Sequence, residues 1–337
     1  MKIAILTHPL GANYGGILQA YALSTYLKSK GHEVIIINRQ SNLPFLLRII
    51  KKVLVFFRHP RYHNPRYKHL VNFVKRNLNY SRPLSTTKQL DSFVRKNNLD
   101  IIIVGSDQVW RADFALEYDY NYFLDFVTNQ AKKISYAASF GLSHWKYTKE
   151  QTAKIKELID EFSFISVRED EGVTLCRQNL GIEAVHVLDP TLLLKAKEYD
   201  MITSKRLIDE EYIFVYWLGS EEDKLKAMEK ITMNKRKIVD ISLRGIEPLM
   251  SIENWLSYIK YADFVVTDSF HGCVFSILFQ KQFCICPNSS GGNGRLDSLF
   301  KMLHIDILEK QLDYLKINKS LESQRNISYQ FIKNALQ

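Results

Sequence analysis

Several polar side chains follow runs of β-branched residues directly, at points where a buried strand would end. In FVVTDSFHGCVFSILF (264–279), His271 comes after such a run and opens an apolar stretch typical of a buried helix. The carboxyl ends of strands are where ligands bind in open α/β sheets, so His271 is a candidate catalytic residue. A histidine exchanges protons near neutral pH, which suggests general acid catalysis. A histidine that only hydrogen-bonds within a core is the structural alternative.

The segment GSDQVW (105–110) follows the run DIIIV in the same way. Gly105 permits a close backbone approach at the strand end. The next three residues, Ser106, Asp107 and Gln108, bring polar groups there. Asp107 is a candidate general base toward a sugar hydroxyl, and it is equally suited to capping a helix N-terminus. Gly105, Ser106 and Gln108 are candidate substrate-binding residues.

A glycine-rich loop, GANYGG (11–16), follows the first strand. Its glycines do not match the G-x-G-x-x-G spacing of dinucleotide-binding sites. A loop that enters a helix can still hold an anion or a sugar with its backbone amides, or it can simply turn the chain. A turn alone requires neither Asn13 nor Tyr14, so we take Asn13, Tyr14 and Gly15 as candidate substrate-binding residues.

Two arginines stand where an anion could bind. Arg168 follows the short run FISV, and a guanidinium suits bidentate recognition of phosphate or carboxylate. A surface salt bridge to Glu169 or Asp170 is the alternative. In GGNGRLDSLF, Asn293 and Arg295 lie between flexible glycines and a predicted helix, where amide donors and a cation coincide.

These side chains can form one site only in a fold that brings the ends of several strands together. Continuous β-branched runs alternate with helical segments along the chain, which predicts an α/β fold with parallel sheets covered on both faces. With 337 residues, the chain exceeds the roughly 250–300 residues at which single cores stop growing. We predict two Rossmann-like domains facing a central cleft, over 1–195 and 210–320, with the polar segment 195–210 as linker and a C-terminal helix over 321–337.

The net charge, the absence of nucleic-acid-binding motifs and the cysteine pattern limit which classes of ligand or partner are expected. The net charge of +10 favours an anionic partner such as a phosphate-bearing substrate or an anionic membrane. No zinc-finger, helix-turn-helix or RNP-like pattern accompanies the charge, so no nucleic acid is expected. The four cysteines form no metal-ligand pattern, which predicts buried free thiols, a reducing compartment and no metal site. The N-terminus does not resemble a signal peptide, and the predicted location is cytoplasmic.

The segment LPFLLRIIKKVLVFFRHPRYHNPRYKHL (43–70) is both apolar and strongly basic. Helical spacing places Arg48, Lys51 and Lys52 on one side. A helix of this kind over 43–60 can lie in a membrane interface with its cations toward anionic headgroups. That reading predicts peripheral contact with the inner face of the membrane. A core-packed helix followed by a basic surface loop is the alternative.

Six segments in a fixed order carry a resemblance to a known family: NYGGILQAYAL, GSDQVW, ISYAASFG, SVRE, VLDPTLLL and TDSFHGCVFSILFQKQF. Over roughly residues 1–300 the chain resembles the polysaccharide pyruvyl transferases. The resemblance implies the glycosyltransferase B-type fold, with the acceptor on the N-terminal domain and the donor on the C-terminal one. It also implies transfer of a pyruvyl group from phosphoenolpyruvate, as substrate and without a cofactor, to a sugar. The product is a pyruvate ketal in a surface polysaccharide or its lipid-linked precursor.

The resemblance also assigns roles to residues. His271 would be the acid that protonates phosphoenolpyruvate, and Arg168 would bind that donor. Other members of the family have an arginine two positions before the histidine, where this chain has Ser269. We therefore expect Arg295 to supply the missing anion contact, and we count Ser269 among the substrate-binding residues.

Two other functions fit the same sequence. A glycosyltransferase that uses a nucleotide sugar could occupy the same two-domain scaffold, because fold does not fix function. Phosphate and ribose contacts near Asn293 and Arg295 would serve a nucleotide equally well. A catalytically inactive partner within a polysaccharide assembly complex is the third hypothesis. The serine at position 269 favours it, whereas His271, Arg168 and Asp107 argue against it.

Overall fold

A computed structural model describes most of the chain, namely residues 1–11, 13–41, 65–229, 236–241, 248–285, 294–306 and 311–337. The chain divides into two compact units. The first unit comprises residues 1–61, 74–193 and 324–337, and the second comprises 62–73 and 194–323. The predicted linker at 195–210 begins just after this division.

The first unit is built on a six-stranded parallel sheet. Its strand order is β2-β1-β3-β4-β5-β6, so the order reverses between β1 and β3. All four residues of β3, and Ile3 to Leu6 of β1, are buried, as expected for parallel strands covered on both faces. The strands are β1 (Lys2–Leu6), β2 (Glu33–Ile37), β3 (Ile101–Val104), β4 (Lys132–Ala138), β5 (Phe162–Val167) and β6 (Val185–His186).

Several helices near this sheet have a polar N-cap residue at their start. Asn13 caps the first helix, Thr86 the third, and Thr148 forms a capping box with Gln151 at the fifth. Each cap oxygen accepts a hydrogen bond from a backbone amide that the helix itself leaves unpaired. The helices are α1 (Tyr14–Ser29), α3 (Thr87–Lys96), α4 (Ala112–Ala115), α5 (Lys149–Ile159) and α6 (Asp170–Leu175), together with α2 (Lys68–Asn77), whose residues up to Phe73 belong to the second unit.

The second unit has a four-stranded parallel sheet with the order β10-β9-β7-β8. Its order reverses between β7 and β9. The strands are β7 (Tyr212–Tyr216), β8 (Lys237–Asp240), β9 (Phe264–Thr267) and β10 (Phe283–Ile285). The helices are α7 (Glu221–Glu229), α8 (Ile252–Tyr261), α9 (Phe270–Leu278), α10 (Gly294–Leu303) and the long α11 (Tyr314–Leu336), whose residues from Gln324 onward belong to the first unit.

The structure confirms the predicted fold class, an α/β chain with two Rossmann-like parallel sheets. Helix α1 begins at Tyr14 and α9 at Phe270, so Gly15 and His271 lie inside first helical turns. The C-terminal helix begins at Tyr314, earlier than the predicted start at 321. Cys176 and Cys273 are buried free thiols as predicted, whereas Cys284 is only partly buried, and Cys286 lies outside the described residues. Burial raises the pKa of Cys176 to about 12.

The predicted membrane-contact segment falls largely on residues 42–64, so the hypothesis for 43–60 lies outside the described residues. From Pro65 the chain continues as a short 3-10 turn and then as α2. Among the helices that the structure describes, none has both the length and the apolar character needed to cross a bilayer.

Gly105→Ala is expected to destabilise the chain more than Gly181→Ala. Both glycines have left-handed φ values, +120° and +72°. A Cβ atom at Gly105 would collide with the carbonyl oxygen of Tyr136 on β4, whereas one at Gly181 meets no atom within 4 Å. We expect losses of about 1–2 kcal/mol at Gly181 from backbone strain alone. At Gly105 we expect about 3–5 kcal/mol, because a forced shift of β4 adds to that strain.

Urea denaturation of the two variants measures the difference. Equal losses of unfolding free energy would mean that the close approach between β3 and β4 does not constrain position 105.

Candidate active site

In the second unit, the turn from β9 into α9 positions His271. Ser269 is the N-cap of α9, and its Oγ accepts a hydrogen bond from the backbone N–H of Gly272 at 3.3 Å. The side chain of Thr267 accepts from the Ser269 N–H at 3.0 Å and donates to the carbonyl of Tyr216 at 2.7 Å. His271 therefore lies in the first turn of a nine-residue helix, and only 7% of its surface is exposed.

The residue after the histidine is a glycine because no larger side chain fits there. A Cβ atom there would collide with the Oγ1 of Thr267. Because Thr267 is the last residue of β9, a larger side chain would push the start of α9 away from the strand end. The pair His271–Gly272 thus combines an imidazole with the close packing that fixes its position.

Asp268 links the ends of the two strands where the second sheet reverses its order. Its carboxylate accepts hydrogen bonds from the backbone N–H groups of Leu218 and Gly219, at 2.8 and 2.7 Å. Burial raises the pKa of Asp268 above its ordinary value, and the two amide hydrogen bonds oppose that rise. The turn after β7 is thereby held against the turn that carries His271.

Arg295 and His271 belong to one group of side chains. The Arg295 guanidinium lies 5.8 Å from the centre of the Phe270 ring, and that ring packs edge-on against the His271 imidazole with centroids 5.1 Å apart. The structure therefore brings both predicted residues to the same end of α9. Ser269, two positions before the histidine, serves as the helix cap. Asn293 lies outside the described residues.

In the first unit, Arg168 is buried among three carboxylates. Its Nη1 lies 2.7 Å from Asp189 Oδ2, its Nε 3.2 Å from Glu169 Oε1, and its Nη2 3.7 Å from Asp107 Oδ1. Burial lowers the pKa of the guanidinium, but the three carboxylates more than offset this effect and raise it above its ordinary value. Of the two partners expected from sequence, Glu169 is one, whereas Asp170 begins α6.

Asp107 takes a backbone conformation that few residues adopt, with φ at +76°. It accepts a hydrogen bond from the Gln108 N–H at 2.9 Å. The next helix is α4, whose N-cap position is Arg111, so Asp107 is not the helix cap considered from sequence. Its neighbour Ser106 is fully buried, and its hydroxyl donates to the carbonyl of Ala137 at 3.1 Å.

A cavity of about 380 Å³ lies at the carboxyl ends of β1 and β3, where the first sheet reverses its order. We call it the strand-end cavity. It brings together three predicted residues, Asn13, Asp107 and Gln108. Its lining also includes four ionisable or aromatic side chains that sequence reasoning missed: His8, Phe114, Glu117 and Tyr118. Only the position of His8, two residues after β1, gave any indication in the sequence.

Residues of the GANYGG segment also have structural roles in this unit. Asn13 caps α1, and its Oδ1 accepts from the Gly16 N–H at 3.3 Å. Tyr14 is buried in the core and Gly15 is buried in the first turn of the helix. Asn13 therefore both caps α1 and lines the cavity, whereas Tyr14 and Gly15 are not among the residues described as lining it.

A match to the model of a known protein family identifies the family of this chain. The model of the polysaccharide pyruvyl transferase family matches residues 13–290, most of the chain. The chain belongs to this family. The resemblance read from the six sequence segments is thus confirmed, and so is the transferase class that the family implies. No functionally curated protein matches the chain.

Solved structures similar to this pyruvyl transferase family member show the same fold. UDP-GlcNAc 2-epimerase from Methanocaldococcus jannaschii has a TM-score of 0.55 at 12% identity, over 98% of this chain and 100% of that one. S. aureus MnaA, solved with UDP, has a TM-score of 0.53 at 14% identity, over 99% of this chain and 91% of that one. These likenesses confirm the glycosyltransferase B-type class of two Rossmann-like domains. At such identities they show the fold alone.

Arg168→Gln is expected to cost about 3–5 kcal/mol of unfolding free energy, because it leaves three buried carboxylates without their shared cation. Arg177→Gln is the matched control. Arg177 pairs with Glu183 on the surface, where the two side chains are 63% and 72% exposed, and its loss should cost no more than about 1 kcal/mol. Urea denaturation at pH 7 measures both variants.

The same pair of variants tests the predicted role of Arg168 as a phosphoenolpyruvate ligand. An Arg168→Gln protein with native stability and weakened phosphoenolpyruvate binding would contradict the structural role and favour the ligand role.

Proposed function

We propose that this protein transfers the pyruvyl group of phosphoenolpyruvate to two hydroxyls of one sugar, forming a pyruvate ketal on a surface polysaccharide or its lipid-linked precursor. Membership of the pyruvyl transferase family supports the reaction class. The observation that carries the proposal is the grouping of His271, Phe270 and Arg295 at the start of α9. A proton donor, a cation and the amide end of a helix near one another support the proposed reaction.

The reaction requires one proton donor and two proton acceptors. An acid protonates the methylene carbon of phosphoenolpyruvate, and the first sugar hydroxyl attacks the adjacent carbon to form a C–O bond. Loss of phosphate then breaks the bond between that carbon and the phosphate ester oxygen. The second hydroxyl attacks the same carbon and closes the ketal. Of the two hydroxyl protons released, one replaces the proton given to carbon and the other leaves with the phosphate.

We assign the acid role to His271. Its imidazole lies at the carboxyl end of β9, next to the point where the strand order of the second sheet reverses, and such points bind ligands in open α/β sheets. Arg295 and the first turn of α9 supply positive potential for the phosphate and carboxylate of the donor. Ser269 cannot replace an arginine in charge, so Arg295 is the residue of this group that supplies the cation.

We assign the acceptor role to the first unit and the role of base to Asp107. Asp107 lines the strand-end cavity, and its Oδ2 lies 3.6 Å from the position that a Cβ of Gly16 would occupy. Arg168 contacts the same carboxylate at 3.7 Å and thereby holds its orientation. A carboxylate oriented in this way can accept a proton from an attacking hydroxyl.

His271→Ala is expected to lower kcat about 10²- to 10⁴-fold, the usual contribution of a positioned acid, while the melting temperature stays near that of the native protein. The assay supplies phosphoenolpyruvate and a panel of methyl hexosides, and it reads phosphate release together with the new ketal methyl resonance by NMR. His304→Ala, at an exposed histidine of the same unit, is the control and should retain full turnover. Full turnover in His271→Ala would remove His271 from the mechanism.

A further inference from the structure

The first unit has another large cavity, at the edge of its sheet opposite the strand-end cavity. It has a volume of about 620 Å³ and is lined by the end of α1, the end of α11 and His32, which directly precedes β2. We call it the helix-end cavity. Asn13 at the start of α1 lines the strand-end cavity, whereas Tyr26 near its end lines this one. The 16 residues of α1 span about 24 Å, so the two cavities are separate sites.

The lining of the helix-end cavity carries positive charge. Lys30, the C-cap residue of α1, and Lys333, near the end of α11, both line it and are both exposed. The described residues that line it include no aspartate or glutamate. Two lysines without a lining carboxylate attract an anion into the cavity.

Two stacked tyrosines form an apolar wall beside these lysines. The rings of Tyr26 and Tyr329 have centroids 5.1 Å apart and planes that differ by 3°, and Lys30 Nζ lies 5.2 Å from the centre of the Tyr26 ring. Ile332 and Leu336 add aliphatic surface to the lining. Burial raises the pKa of Tyr26 to about 12, so its hydroxyl carries no charge at pH 7. A cation next to an apolar wall suits a ligand in which an anionic group is attached to an apolar body.

His32 contributes an atom that requires a hydrogen-bonding partner. Its Nδ1 is buried, and no group within the described residues hydrogen-bonds to it. A buried polar atom in this state costs free energy, which a ligand or a water molecule recovers by bonding to it. Either ring nitrogen of a neutral imidazole can carry the proton, and an anion stabilises the form that donates to it. An anion can therefore bind this atom whichever tautomer the ligand-free protein holds.

We propose that the helix-end cavity binds an amphipathic anion, a carboxylate or phosphate joined to a hydrocarbon or aromatic body. Lys30, Lys333 and His32 attract the anionic group, and the stacked tyrosines contact the body. The cavity volume falls within the range of about 300–1,000 Å³ that is usual for small-molecule sites. Neither Asp107 nor His271 is among the described residues that line this cavity, so the binding does not rest on the proposed function.

Saturation-transfer NMR on the full chain at pH 7 tests the proposal with small probes. Octanoate and 2-naphthoate carry the charge on an aliphatic and an aromatic body. Acetate lacks the body, whereas 1-octanol and 2-naphthol lack the charge. At least one of the two amphipathic carboxylates should bind with a dissociation constant on the order of 1 mM, as expected for a ligand of about ten non-hydrogen atoms. Acetate and the matching alcohol should bind about fivefold more weakly or not detectably.

Substitutions locate the site. Lys30→Gln and Lys333→Gln each remove one charge from an exposed position, so both should fold normally and weaken carboxylate binding about two- to fivefold. Lys28→Gln is the matched control, because Lys28 is exposed in the last turn of α1 but is not among the described lining residues, and its affinity should stay native. His32→Phe keeps a ring but removes the hydrogen-bonding atom, so the preference for the carboxylate over the matching alcohol should fall about threefold.

Absence of binding by both amphipathic carboxylates, equal binding of the matching alcohols, or native affinity in both Lys30→Gln and Lys333→Gln would each overturn the proposal. An equal loss in Lys28→Gln would do the same, because it would indicate attraction by overall charge alone. His271→Ala should bind the carboxylate as the native chain does, and loss of binding there would place the anion at the candidate active site instead. A missing response to phosphoenolpyruvate would contradict the proposed function and leave this site standing.

Discussion

One buried guanidinium shared by three carboxylates holds the carboxyl end of the first sheet together. Asp107, Glu169 and Asp189 follow β3, β5 and β6, and Arg168 contacts all three. Three buried carboxylates near one another would repel, and each would be costly to keep ionised without a cation. The strand ends can therefore approach one another only because Arg168 is present. The orientation of Asp107, and with it the wall of the strand-end cavity, follows from this pairing.

In the second unit, hydrogen bonds to a carboxylate hold two strand ends together. The Asp268 carboxylate accepts hydrogen bonds from the backbone N–H groups of Leu218 and Gly219. One carboxylate thus fixes the turns after β7 and β9. The two sheets also share a topology, since β8-β7-β9-β10 repeats the 2-1-3-4 order of the first four strands of the larger sheet. In each unit the candidate residues lie where that order reverses, which is where open α/β sheets place their ligands.

Local patterns predicted the fold and part of the candidate site. Continuous β-branched runs mark parallel strands because both faces of such strands are covered, and a polar residue after a run marks a strand end. His271 and Asp107 were predicted in this way. The partners of Arg168 were harder to predict, because Asp189 lies 21 residues away along the chain and meets Arg168 only through β6. His8 was missed for a related reason: its neighbours Phe114 and Tyr122 come from a distant segment without regular periodicity.

Thermal unfolding of the purified protein with phosphoenolpyruvate, beside a panel of nucleotide sugars, tests the central claim most directly. A ligand at 100 times its dissociation constant adds about 2.7 kcal/mol to the free energy of unfolding, which a melting curve resolves. Pyruvyl transfer predicts an upward shift with phosphoenolpyruvate and none with the nucleotide sugars. A shift with a nucleotide sugar alone would contradict pyruvyl transfer and indicate a glycosyltransferase on the same fold.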